Sequence, residues 1–263
     1  MPKISGLTIL KNGITCGYTF VETLKCLDAI CDEIIICEGN STDGTIDYIN
    51  RIKNDKFKIY SYDWGNCSDG TKFADITNDG LDKCTGEYIF YLQSDEIIHE
   101  CEYDKVKSLI NDGYDAIYMQ FAHLRYTMLK KIQSNAYEHA IRIIKNKKGI
   151  RSITDGYNFG GEITSATYSN ILVYHAGYVF LKNILQKMIN HADSFYITNS
   201  NYQERKAKSI NLLNRLNAGE QIDPEYAHQI LEPFYTLVDH GCILPSLLQK
   251  HVGALSYNPE VNL

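Results

Sequence analysis

The chain has no Cys-x-x-Cys pair, although it carries 8 cysteines: Cys16, Cys26, Cys31, Cys37, Cys67, Cys84, Cys101 and Cys242. That absence argues against a zinc ribbon or a thioredoxin-like redox motif. Cys37 follows Ile34-Ile35-Ile36, and a free thiol in such a run behaves as a small core residue. There is no excess of positive charge either. The 26 Lys and Arg against 32 Asp and Glu leave a formal net charge of -6. A sequence-independent nucleic-acid binder needs a positive stripe to displace counterions, so no nucleic-acid partner is expected. No stretch reaches the ~18 apolar residues of a membrane span. The N-terminus lacks the charged-then-apolar pattern of a leader. Together these absences set the expectation of a reducing, cytoplasmic compartment. Two nucleotide signatures are also missing: Gly-x-Gly-x-x-Gly after a strand, and the Gly-x-x-x-x-Gly-Lys-[Ser/Thr] loop. A dinucleotide dehydrogenase and a P-loop enzyme are thereby disfavoured.

What is present is an ordinary globular composition. Of 263 residues 44% are apolar and 22% charged, enough for one domain with a large core. Strands are expected at 4–10, 33–37, 56–62, 87–92, 116–127, 140–144 and 171–174. Helices are expected at 20–29, 46–52, 72–83 and 103–111. Strand and helix alternate, which predicts an α/β fold with a mostly parallel sheet and ligands at the carboxyl ends of its strands. After about residue 180 helices dominate, over 181–192, 203–216, 224–240 and 244–252. The expected division is a catalytic unit over 1–180 and a helical extension over 181–263. The extension is expected to pack on the core or to make a homodimer.

Two loops at strand ends are rich in functional residue types. Glu38-Gly39-Asn40-Ser41-Thr42-Asp43-Gly44-Thr45 leads into a helix, and a helix N-terminus with free N–H groups can hold an anion or ribose hydroxyls. An ordinary N-capped turn has the same composition. Gln93-Ser94-Asp95-Glu96 ends a buried strand, and on a strand Gln93 and Asp95 would share one face. An acid there needs solvent, hydrogen-bond donors or a cation. Hard cations such as Mg²⁺ or Mn²⁺ take oxygen ligands from phosphate and water as well as protein, so one carboxylate can suffice.

Residues Ile4 to Asn12, Phe20-Val21-Glu22-Thr23, Asp32-Glu33-Ile34-Ile35-Ile36, Asn40-Ser41-Thr42-Asp43-Gly44-Thr45 and Gly86-Glu87-Tyr88-Ile89-Phe90-Tyr91-Leu92-Gln93-Ser94-Asp95-Glu96 resemble family 2 glycosyltransferases in order and spacing. The resemblance covers roughly the first 180 residues. It implies a GT-A type, Rossmann-like α/β sheet flanked by helices, a nucleotide-diphosphate sugar donor, and Mn²⁺ or Mg²⁺ as cofactor. The family's metal motif is Asp-x-Asp. Here Asp95 is the second acid, and Gln93 stands in place of the first. Asn12-Gly13 likewise replaces the family's Asn-Glu. The resemblance places Asn12, Glu38, Asn40, Asp43, Lys72, Asn78 and Ser94 near the nucleotide, and Asp95 with His175 at the metal.

The resemblance also implies inversion, with a carboxylate that takes the acceptor hydroxyl proton. Asp155, between the metal strand and His175, is the candidate base, although an Asp-Gly pair is also a common turn. Glu138 and Glu162 compete with it. Arg142 and Arg151 are candidates for steadying the diphosphate. The acceptor is left open among a glycan, a lipid-linked carrier and a protein. The alternative is a binding module of the same fold without turnover, which the Gln93 and Gly13 replacements keep open.

Overall fold

The computed structural model describes residues 2–64, 71–133, 137–154, 156–194 and 200–263. The first half alternates strand and helix: β1 (Ile4–Leu10), α1 (Gly13–Cys16), α2 (Phe20–Ile30), β2 (Glu33–Glu38), α3 (Thr45–Ile52), β3 (Phe57–Ser61), α4 (Thr71–Leu81), β4 (Tyr88–Tyr91), β5 (Glu96–Ile98) and α5 (Tyr103–Ile110). Strands follow: β6 (Ala116–Arg125), β7 (Lys130–Ile132), β8 (His139–Lys145), β9 (Ile150–Ile153), β10 (Asn158–Gly161) and β11 (Ala166–Tyr178). The tail holds α6 (Leu181–Ser194), α7 (Ser200–Asn217), α8 (Pro224–Leu231), β12 (Leu237–Asp239) and α9 (Ser246–Gln249).

The main sheet runs β12-β7-β6-β8-β4-β1-β2-β3, with β11 joining β6 and β5. Strands β4, β1, β2 and β3 are parallel neighbours, and β11 lies parallel to β6. Strand β8 enters antiparallel between β4 and β6. Alternation along the central strands divides the core between two faces. Leu10, Ile34 and Ile36 pack with α2 on one face. Leu7, Ile9, Ile35 and Cys37 face the opposite cluster with Ile76 and Leu81 of α4. Gly80 lets α4 lie close to the sheet, because a Cβ there would stand 2.6 Å from Leu7 Cδ1 and 2.7 Å from Cys37 Sγ.

Four expectations about the elements are corrected. The strand expected to reach Leu92 ends at Tyr91, and residues 93–96 form a turn in which Glu96 N–H donates to the Gln93 carbonyl at 3.0 Å. His175 sits within the thirteen-residue β11, not after a strand. The helix expected over 224–240 stops at Leu231, because Glu232 precedes Pro233 and that position disfavours helical backbone. The chain then adds β12 to β7. Pro245 similarly sets the start of α9, which is shorter than the 244–252 helix expected.

The segment after residue 180 packs on the rest of the chain. Buried Glu22 of α2 accepts hydrogen bonds from Tyr257 Oη at 2.9 Å and Asn262 Nδ2 at 2.7 Å, and His251 Nε2 lies 2.8 Å from it. Asn183 of α6 donates to the carbonyls of Ile14 and Thr15. At the opposite edge of the sheet, Glu33 fastens the start of β2. It accepts from Ser5 Oγ at 2.6 Å, Thr85 N–H at 2.7 Å and Thr85 Oγ1 at 2.8 Å, and pairs with Lys58.

Burial pushes the Glu33 pKa up, but the hydrogen bonds from Lys58, Ser5 and Thr85 outweigh it and hold the pKa at about 2. A carboxyl whose folded pKa is depressed contributes stability above its unfolded pKa, near 4.5, and that contribution fades as pH falls toward 2. Glu33→Gln should therefore cost about 1–3 kcal/mol at neutral pH, the usual penalty for breaking a buried polar cluster. The gap from wild type should narrow below pH 4.5 in denaturant titrations.

Candidate active site

Because β1, β2 and β4 are parallel neighbours, their carboxyl ends share one edge. Three loops meet there. The first, after β1, turns at Asn12, whose φ of 49° is a left-handed conformation that Asn tolerates. Asn12 N–H donates to Ser41 Oγ, and Asn12 Oδ1 accepts from Thr42 N–H, both at 2.8 Å. The second loop follows β2. Its Glu38 carboxylate folds back to accept from the N–H groups of Asn40 and Ser41 at 2.9 and 2.8 Å. Asp43 accepts from Thr45 at the start of α3 and from Thr15 N–H of the first loop. Asn40, at φ 55°, reaches the Tyr62 carbonyl. Asn12 and Asp43 thus bind the two segments into one unit, and Glu38 fixes the second loop on itself.

The third loop carries Asp95, which is 6% exposed. Its Oδ2 lies 3.4 Å from His175 Nε2. His175 Nδ1 meets His123 Nδ1 at 3.1 Å, and His123 Nε2 lies 2.9 Å from the Tyr137 carbonyl. A carbonyl only accepts, so His123 carries its proton on Nε2 and accepts at Nδ1 from His175 N–H. His175 Nε2 is then the nitrogen that faces Asp95. The charge states agree. Burial lowers the His175 pKa, but the adjacent Asp95 carboxylate outweighs it and raises the value. Burial, with His175 beside it, holds His123 down at about 4. Burial raises the pKa of Asp95, but His175 and then Lys187 outweigh that and lower it.

Lys187 comes from α6. Its Nζ donates to the Gly177 carbonyl at 2.8 Å and lies over the rings of Tyr18 and Tyr178, 4.4 and 4.2 Å from their centroids. Cys16 ends α1. Burial raises its thiol pKa, and the charges of Lys187, Asp43 and Asp95 all reach it.

The remaining candidates divide. Ser94 is buried beside Asp95. Gln93 Nε2 reaches the Gly156 carbonyl, and Gly156 in turn lies against Phe73, so the first turn of α4 with Lys72 stands at the same edge. Asn78 has both ends of its amide on Ser152, accepting from N–H at 2.8 Å and donating to the carbonyl at 3.1 Å, which joins α4 to β9. Asp155 lies outside the described residues. Glu162 packs over Gly149, and Glu138 is exposed. Arg142 does not steady a diphosphate. It is fully buried, paired with Glu96 through Nε at 2.7 Å and Nη2 at 2.6 Å, and donates to the carbonyls of Ile141 and Tyr157. Arg151 pairs with Asp82 on the outer surface of α4.

Sequence reasoning missed His123, Gly177 and Lys187. Two of them had a signal: a histidine within the largely apolar β6, and a lysine three residues after Ile184 on the packed side of α6. Only the fold shows that they meet Asp95.

Residues 20–167, more than half of the chain, match the model of glycosyl transferase family 2. The chain belongs to that family. It is accordingly a glycosyltransferase, and its mixed sheet with flanking helices is the GT-A-type arrangement the resemblance implied. Among solved structures, S. aureus TarS 1-349 with UDP-GlcNAc is similar at 14% identity and a TM-score of 0.46, over 82% of this chain and 74% of that one. The same protein with UDP gives 15% and 0.45, over 86% and 77%. Mannosyl-3-phosphoglycerate synthase from Rubrobacter xylanophilus gives 14% and 0.33, over 47% and 41%. No curated protein sequence matches the chain.

No group of three or more His, Cys, Asp or Glu side chains among the described residues is arranged to hold a metal. Asp95 Oδ2 and His175 Nε2 nevertheless stand side by side, one oxygen and one nitrogen. That pair fits a divalent cation that draws its other ligands from phosphate and water. The carboxylate is seated directly on Gly177, where a Cβ would fall 2.0 Å from Asp95 Oδ2. Gly177→Ala must therefore displace Asp95. We expect roughly 100-fold slower sugar transfer, the scale of loss from an ångström-sized misplacement. Circular dichroism should show the sheet retained, and kinetics should show the loss mainly in kcat.

Proposed function

We propose that this glycosyltransferase moves a sugar from a nucleoside-diphosphate sugar to an acceptor hydroxyl, with inversion at the transferred carbon. The observation that supports this best is the buried Asp95 carboxylate, set with His175 on the sheet edge that the Asn12 and Asp43 loops also line. The donor's nucleoside lies along Asn12, Glu38, Asn40 and Asp43. Its diphosphate lies toward Asp95, with Lys72 and Ser94 on the flanks. Asn78 contributes by holding α4 against β9.

Mn²⁺ or Mg²⁺ bound by Asp95 and His175 would supply Lewis-acid neutralisation of the leaving diphosphate. Gln93 stands where a second carboxylate would bind more strongly, so Asp95 and His175 would hold the cation with one fewer protein charge. His123 keeps the Nε2 of His175 turned to Asp95. Asp155, which precedes Gly156 in the sequence, takes the acceptor proton as the acceptor oxygen bonds to the sugar carbon. The bond from that carbon to the phosphate oxygen breaks, and its electron pair leaves with the diphosphate. Thr154 beside it adopts φ 55°, an uncommon conformation for a β-branched residue.

The test is release of nucleoside diphosphate from a panel of sugar donors, with and without Mn²⁺. UDP-GlcNAc, held by S. aureus TarS, is the first to assay. Asp95→Ala should abolish turnover. Asp155→Asn should lower kcat by about 10²–10⁴, the usual range for losing a general base, with donor affinity unchanged. Full turnover in Asp95→Ala overturns the site. Donor binding with no turnover across a broad acceptor panel favours a binding module.

A further inference from the structure

The tail carries a buried positive charge. Lys187 is 6% exposed. No carboxylate among the described residues comes within ion-pairing distance of its ammonium, whose one hydrogen bond is to the Gly177 carbonyl. An ammonium has three N–H groups. The rings of Tyr18 and Tyr178 offer their electron-rich faces, and the Asp95 charge acts from a longer distance. Burial without a close counter-charge disfavours the protonated amine, and burial lowers the Lys187 pKa although Cys16 and Asp95 act against it. Solvating such an ammonium in bulk water would be the cheaper arrangement.

Its position explains the arrangement. Gly177 bears Asp95 on its α-carbon side and Lys187 on its carbonyl. Gly177 therefore sets the ammonium on the same residue against which Asp95 rests, at the diphosphate end of the proposed donor site, and Tyr18, which follows the first loop, covers it. We propose that Lys187 is the fixed positive charge that meets the donor's diphosphate, a role that the tail supplies to the family 2 domain in place of charge otherwise brought by a more tightly held cation. This rests on the donor reading above. It assigns to the helical segment after residue 180 a direct part in donor binding. It also accounts for Gln93: with an ammonium permanently in place, a second carboxylate at the cation is not required to balance the diphosphate, and one fewer acid leaves the site less negative.

The experiment compares binding of UDP, UMP and uridine to wild type, Lys187→Met and Lys187→Arg by calorimetry, in chelator and in Mn²⁺. Wild type should prefer UDP over uridine strongly, even in chelator. Lys187→Met should weaken UDP by at least tenfold and leave uridine unchanged, whereas Lys187→Arg should keep most of the preference. Equal weakening of UDP and uridine in Lys187→Met marks Lys187 as a structural strut and overturns the proposal, as does unchanged UDP binding. If Lys187→Met does not fold, the lysine side-chain resonances of the wild type decide: UDP must shift Lys187 Nζ and uridine must not. Wild type that binds neither UDP nor another nucleoside diphosphate rejects the donor reading itself, a distinct outcome.

Discussion

Keeping a carboxylate charged at the end of a buried strand is the constraint to which the rest of this site answers. Asp95 has almost no water, so its charge must be compensated within the protein. His175 does so from β11 and Lys187 from α6, while Gly177 yields the space in which the carboxylate rests. These groups arrive from parts of the chain eighty or more residues away. The register that places His175 opposite both Glu96 and His123 is therefore as necessary to the site as Asp95 is.

A second buried pair lies just behind the first. Glu96, next to Asp95 in sequence, faces the opposite way and holds Arg142 with two hydrogen bonds. Breaking such a pair on one side typically costs about 3–5 kcal/mol. Its geometry fixes the 93–96 turn, since Glu96 also accepts from Gln93 N–H at 3.0 Å. One acid of the Asp95-Glu96 pair thus meets His175, and the other anchors the turn that presents it. The nucleoside side follows the same economy: Asn12 and Asp43 bind the segment after β1 to the loop after β2, and Glu38 fixes the latter, so the edge is shaped before any ligand arrives.

Much of the fold was legible because its central strands are buried on both faces. Ile34-Ile35-Ile36 can only be a covered strand, and the apolar stripe of α2 can only face it. The errors fall where local pattern and tertiary context compete. Gln93 to Glu96 reads as the end of a strand, but the Glu96–Arg142 pair bends it into a turn. The run after Leu231 reads as helix, but Pro233 ends the helix and β7 offers a strand partner. Arg142 reads as a candidate for steadying the diphosphate, and only the pairing of β8 with Glu96 shows it buried.

From the sequence alone came the family, the α/β alternation and the acids of the strand-end loops, because periodicity and short ordered motifs are local properties of the chain. Tertiary structure decided which of those acids share an edge and what compensates their charge. It also decided that a lysine from the helical tail reaches the carbonyl of Gly177, the residue against which Asp95 rests. Charge compensation depends on distance through space and on exclusion of water, and neither is written in the spacing of residues along the chain.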